Sequence, residues 1–119
     1  LLDAERGGTS LEDVINDSDD VAVAAITVAE LKVGVRLAKG RQRAKREQFV
    51  AAFLEAVSVE PYDLDVAEAH AALLAHARQT GTPRGAHDLI IAATARARAR
   101  QVMTSDESGF SDLPEVSLA

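Results

Sequence analysis

The apolar positions of this chain switch repeatedly between a short continuous pattern and a helical one. Val21 to Ile26, the run VAVAAI, is β-branched and almost wholly apolar, which predicts a strand buried on both faces. Thr27 then opens a helical pattern with Val28, Leu31, Val35 and Leu37 at its apolar positions, stopping near Gly40. A second helix starts with the basic run Arg41 to Arg46 and carries Phe49, Val50, Phe53, Leu54 and Val57 as its apolar stripe. That basic start opposes the helix dipole, so a local rule is broken there. Val57-Ser58-Val59-Glu60 reads as a second strand closed by Pro61, and Asp63 to Gln79 as a helix with Val66, Ala69, Leu73 and Ala77 inward and Gly81 as its stop. The turn residues Thr82-Pro83-Arg84-Gly85 precede a helix from Ala86 to about Arg100. Gln101 to Thr104 predicts a third strand and Val116 to Leu118 a fourth, while Thr9 to Asp20 carries Leu11, Val14 and Ile15 at the spacing of a short early helix.

Strands alternating with helices predict an α/β domain built on parallel pairing. The 119 residues suit one domain, and 47% hydrophobic residues suffice for a core. With no cysteine, disulfides and thiolate metal sites are excluded, which suits a reducing cytoplasm and leaves oxygen or imidazole as metal ligands. No apolar run approaches the roughly 20 residues of a membrane span, so no membrane association is expected. Net charge is −6, so attraction to a polyanion requires a local basic patch. Aromatics at 3% are too few for the stacking platforms of single-strand binders or RNA-recognition modules.

Three acidic residues stand where strand-like runs give way to helix-like ones: Glu30 in ITVAELKVG, Asp88 in GAHDLIIAATA and Asp106 in VMTSDESGF. In a parallel sheet such junctions lie at the carboxyl ends of strands, where side chains from separate segments converge on one crevice. Each acid also has a purely structural explanation. Thr27-Val28-Ala29-Glu30 has the form of a capping box, Asp88 suits the first turn of a helix, and Asp106 suits a cap on the turn leading to Phe110. Carboxylates brought together repel unless a cation balances them, and an oxygen-only set selects Mg²⁺ or Mn²⁺. The implied chemistry is metal-assisted hydrolysis of a phosphodiester, which needs no side-chain nucleophile. The chain carries no Gly-rich phosphate loop and no G-x-S-x-G elbow.

The runs TVAELKVG and HDLIIAATA, followed by T-x-D-x-x-x-F from Thr104 to Phe110, resemble PIN-domain ribonucleases of the VapC toxin type across almost the whole chain. The resemblance implies a PIN-like three-layer domain over 1–119, with a central parallel sheet flanked by helices. It implies that Glu30, Asp88 and Asp106 are metal-binding catalytic acids and that Thr104 supports the site. It further implies Mg²⁺ or Mn²⁺ as cofactor, RNA as substrate, a homodimer, and a VapB-type antitoxin whose C-terminal segment obstructs the acids. One departure matters: the family's first acid, in a D-T-S-type motif ending the first strand, has no match here. Asp3 falls too late, and a segment preceding Leu1 is expected to carry that strand.

His70, His76 and His87 lack ligand spacing among themselves and read as surface or cap residues, with His87 left outside the site. Arg84 is a candidate for holding a phosphate near the metal. The clusters Arg41-Arg43-Lys45-Arg46 and Arg96-Arg98-Arg100 are candidates for drawing in an RNA backbone. Val33, Leu37, Phe49 and Phe53 are candidates for a protein interface. Two rival functions follow: a non-catalytic PIN scaffold that binds partners, and a phosphatase or phospho-acceptor domain. The latter requires a lysine near the acids, and Lys32, Lys39 and Lys45 all lie away from the Asp88 and Asp106 segments.

Overall fold

The computed structural model describes residues 21–104 and 107–119. The early helix expected within Thr9 to Asp20 and the acid Asp106 lie outside the described residues. The element order is β1 (Ala22–Ala24), α1 (Ala25–Leu37), α2 (Gly40–Ala56), β2 (Ser58–Glu60), α3 (Leu64–Thr80), α4 (Ala86–Ala97), β3 (Gln101–Val102), a one-turn 3-10 helix (Glu107–Gly109) and β4 (Ser117–Leu118). Among the described residues the strands form two parallel ladders, β1 with β2 and β3 with β4. The α/β architecture with short parallel strands is the predicted one. No helix of the described residues is long and apolar enough to cross a membrane.

Strand β1 organises the interior. All three of its residues are buried, and successive side chains of a strand point to opposite faces. Ala24 belongs to a large core cluster with Val66, Leu73, Leu89, Ala92, Phe110 and Leu113, whereas Val23 packs with Phe53 in a second one. An apolar run without alternation is what burial between two layers requires. Strand β2 takes the outer position, pairing Val23 with Val59, and Ser58 and Val59 are exposed.

The α3–α4 pair forms the main helical layer. Val66, Ala69, Leu73 and Ala77 recur on one face of α3 and are the four residues it buries, as their spacing predicts. Helix α4 answers with small side chains, Ala92, Ala93, Thr94 and Ala95, which allow close approach to its neighbours. Asp63 caps α3 by accepting from the Val66 amide at 3.1 Å, and Gly81 ends it in the left-handed conformation at φ 65°.

Two helix ends differ from expectation. Helix α1 begins at Ala25, two residues before Thr27, directly from the buried strand and with no side-chain cap. Helix α4 stops at Ala97 rather than near Arg100. There the Arg100 amide donates to Ala95 O at 2.8 Å and the Ala99 amide to Arg96 O at 3.3 Å, with Ala99 at φ 54°. Those two bonds are the Schellman closure, here made with alanine where glycine is usual, so the sequence carried no stop signal.

Candidate active site

The early start of α1 decides the structural explanation of Glu30. A capping box needs its acid three residues after the cap, yet the cap is Ala24 and Glu30 lies in the second turn. The spacing of a capping box is therefore not met. The Glu30 carboxylate instead reaches the start of α4, where Oε2 lies 3.0 Å from His87 Nδ1. The Glu30 side chain retains 29% exposure, so the carboxylate borders solvent.

Asp88 occupies the third position of α4, where a carboxylate also favours the helix dipole. Its environment adds something that dipole stabilisation does not require. A Cβ built on Gly109 would stand 2.6 Å from Asp88 Oδ2, and one on Gly85 3.4 Å from the same oxygen. The carboxylate thus lies against the turn that follows Thr104, in space that exists because residue 109 has no side chain. Thr104 is half-buried two residues beyond β3.

Glu30 and Asp88 consequently meet the same turn of α4, one through His87 and the other from within it. The segment that carries Asp106 adjoins them through Gly109, although Asp106 itself lies outside the described residues. Among the described residues no three His, Asp or Glu side chains cluster as a metal site. Glu30 and Asp88 are two half-buried carboxylates that border this turn of α4, and carboxylate oxygens suit a hard divalent cation. His87 had no ligand-like spacing in the sequence; it became visible only when α1 and α4 packed together.

Arg84 has a different role from the phosphate contact expected of it. Its guanidinium donates to Ser108 O at 2.7 Å and to Ser111 O at 2.8 Å, spanning Gly109 from both sides. This fork ties the turn before α4 to the 107–111 segment, and so fixes the surface on which the Asp88 carboxylate rests. The pocket beyond Arg84, about 330 Å³, is lined by Leu74, Ala77, Pro83 and Leu89 together with Arg78, and holds no acid.

The cluster at the end of α4 is likewise committed. Arg98 bonds Glu60 Oε2 at 2.9 Å and Asp63 Oδ2 at 2.6 Å, Arg100 bonds Glu60 Oε1 at 3.2 Å, and Arg96 pairs with Glu115. Hydrogen bonds that the Arg98 guanidinium donates to Asp63 and then to Glu60 hold it still more firmly protonated. The Val66 amide first, and Arg98 after it, hold the Asp63 carboxyl below its ordinary value. His70 is structural too, its Nδ1 lying 2.8 Å from Tyr62 Oη.

The PIN domain family model matches residues 1–116. The chain belongs to the PIN-domain family. This PIN domain is 38% identical over 92 residues to the VapC ribonuclease Y4jK of Sinorhizobium fredii, an alignment covering 74% of this chain and 66% of the relative. It is 36% identical over 97 residues to the toxin FitB of Neisseria gonorrhoeae, covering 77% and 69%. The chain therefore spans about two thirds of the length of these relatives. Among solved structures, VapBC-5 of Mycobacterium tuberculosis, a member of the VapBC family of toxin–antitoxin systems, superposes with a TM-score of 0.75 at 28% identity, covering 99% of this chain and 89% of that one. The PIN domain is thus related to VapC and FitB toxins of toxin–antitoxin systems.

Proposed function

We propose that this PIN domain is a Mg²⁺- or Mn²⁺-dependent endoribonuclease and the toxin half of a VapBC-type pair. The observation that carries this reading is that Glu30, with no capping role on α1, reaches through His87 the turn of α4 that bears Asp88. Relationship to a VapC ribonuclease supports the reaction class. Glu30 and Asp88 would hold the cation, with Asp106 as a third ligand. When bound, such a cation stabilises charge on phosphoryl oxygens and supplies a nucleophile from water at neutral pH.

The chain's own residues do the positioning. His87 fixes the Glu30 carboxylate, Gly109 leaves room for that of Asp88, and the Arg84 fork keeps the intervening turn in place. A VapB-type antitoxin and a second copy of the chain are the proposed protein partners. Val33 and Leu37 on α1, 51% and 77% exposed, are the surface offered for them; Phe53, at 2%, is core, and Phe49 stacks on it at 6.1 Å.

The test is cleavage of single-stranded RNA with Mn²⁺, with Mg²⁺ and with EDTA. Wild type is expected to cut only with a divalent ion, and Asp88→Asn to lose about 100-fold or more in rate while remaining folded. A folded wild type that cuts no RNA under any of these conditions would leave the PIN scaffold as a partner-binding module.

A further inference from the structure

An acidic site in a molecule of net charge −6 repels the polyanion it is proposed to cut. The cations that could offset this are concentrated in one place. All three lysines of the chain and four of its arginines lie between residues 32 and 46, with Glu47 the sole acid adjoining them. With Glu47 included, residues 32–47 carry +6, leaving −12 on the remainder of the chain. All seven of these side chains are exposed, on the hairpin formed by α1 and α2. Arg43 makes only an exposed i,i+4 pair with Glu47 at 3.3 Å, whereas Arg84, Arg96, Arg98 and Arg100 are tied to carbonyls and carboxylates of other segments.

The hairpin also connects to the site. The Arg46 guanidinium lies over Gly34, where a Cβ would stand 3.1 Å from Nη1. Gly34 follows Glu30 by one helical turn on the same face of α1. From Arg46, Arg43 follows three residues back on α2 and Lys39 stands at its N-cap, so the cations lead toward the hairpin bend. Glu30 and Leu37, at the far end of α1, are separated by about 10 Å of helix, on the order of three stacked nucleotides at 3.4 Å per strand. Placing this charge at the start of α2 opposes the helix dipole, so it does not serve the helix.

We infer that the α1–α2 hairpin is an RNA-backbone track, in which Arg46, Arg43 and Lys39 take successive phosphates of a strand whose scissile bond lies at Glu30 and Asp88. The inference rests on the nuclease reading for its substrate and on charge distribution for its location. Phosphate contacts of this kind position a strand without reading its sequence. Val33 and Leu37 occupy a different side of α1 from Lys32 and Arg36, so a protein partner and RNA need not compete for the same atoms.

The test measures binding of a labelled single-stranded RNA in EDTA, where no cleavage occurs, as a function of salt. The triple variant Lys39→Gln/Arg43→Gln/Arg46→Gln is expected to bind at least tenfold more weakly at low salt. Its slope of log K against log salt should fall by about 2, since single-strand contacts contribute about 0.7 each. The variant should fold, because it removes exposed charge that opposes the dipole; circular dichroism checks this. Arg78→Gln, an exposed cation on α3, should leave affinity and slope unchanged. An unchanged slope in the triple variant overturns the track, as does an equal loss in Arg78→Gln. Binding of polyglutamate but not RNA to the hairpin also overturns it, in favour of an acidic protein partner. Wild type that binds RNA through the hairpin yet cuts none with Mn²⁺ sinks the nuclease reading and leaves the track standing. Cleavage with an unchanged slope does the reverse.

Discussion

Gly109 shows how one absent side chain shapes the site. The Asp88 carboxylate occupies space that any Cβ there would take, with Oδ2 only 2.6 Å from the ideal position. Gly109→Ala is therefore expected to push the carboxylate aside and weaken Mn²⁺ binding about tenfold, comparable to losing a supporting contact around a metal site. Calorimetric titration reads this directly. Arg84 acts on the same turn from outside. Arg84→Ala removes two charge-assisted hydrogen bonds to Ser108 and Ser111, costing about 1–2 kcal/mol, and hydrogen exchange at Phe110 and Ser111 should accelerate. Arg84→Lys cannot span both carbonyls and should recover only part of the loss. Glu30 and Asp88 were visible in the sequence as acids near helix starts, although Asp88 follows the turn between α3 and α4 and not a strand as its placement had suggested. His87 and the Arg84 fork were not, since each depends on a partner 24 residues or more away in the chain.

Helix ends are where local pattern and tertiary structure part company. The four inward residues of α3 and its stop at Gly81 were readable because spacing and glycine chemistry agree. The capping box at Thr27 was a false signal: burial of β1 carries the chain straight into α1 and overrides it. At the end of α4, Ala99 holds the left-handed conformation that costs an L-residue roughly 1–2 kcal/mol. Ala99→Gly is accordingly expected to raise stability by up to about 1 kcal/mol, seen as a higher urea midpoint with an unchanged slope. The cap of α3 makes a pH-dependent contribution. Asp63 is held below its ordinary value of 3.8, so its stabilisation is fully present above that value and is lost as pH falls through the lower folded-state value. Urea melts from about pH 5 to about pH 2 should show a shallower acid loss in Asp63→Asn than in wild type.

For the molecule as a whole, the parallel pairing and the two-sided burial of β1 were predictable, because VAVAAI has no polar face to turn outward. The division of the cations into structural and exposed sets was not. Arg98 and Arg100 are joined to Glu60 across the β2–α3 connection, a pairing between segments 38 and 40 residues apart. Among the described residues this leaves the α1–α2 hairpin as the basic surface, its Arg46 lying over Gly34 one helical turn from Glu30. If Glu30 and Asp88 share one divalent cation, calorimetric titration with Mn²⁺ of wild type, Glu30→Gln and Asp88→Asn will show one site in wild type and an affinity about tenfold or more weaker in each variant. Equal Mn²⁺ affinity in all three folded proteins would contradict it.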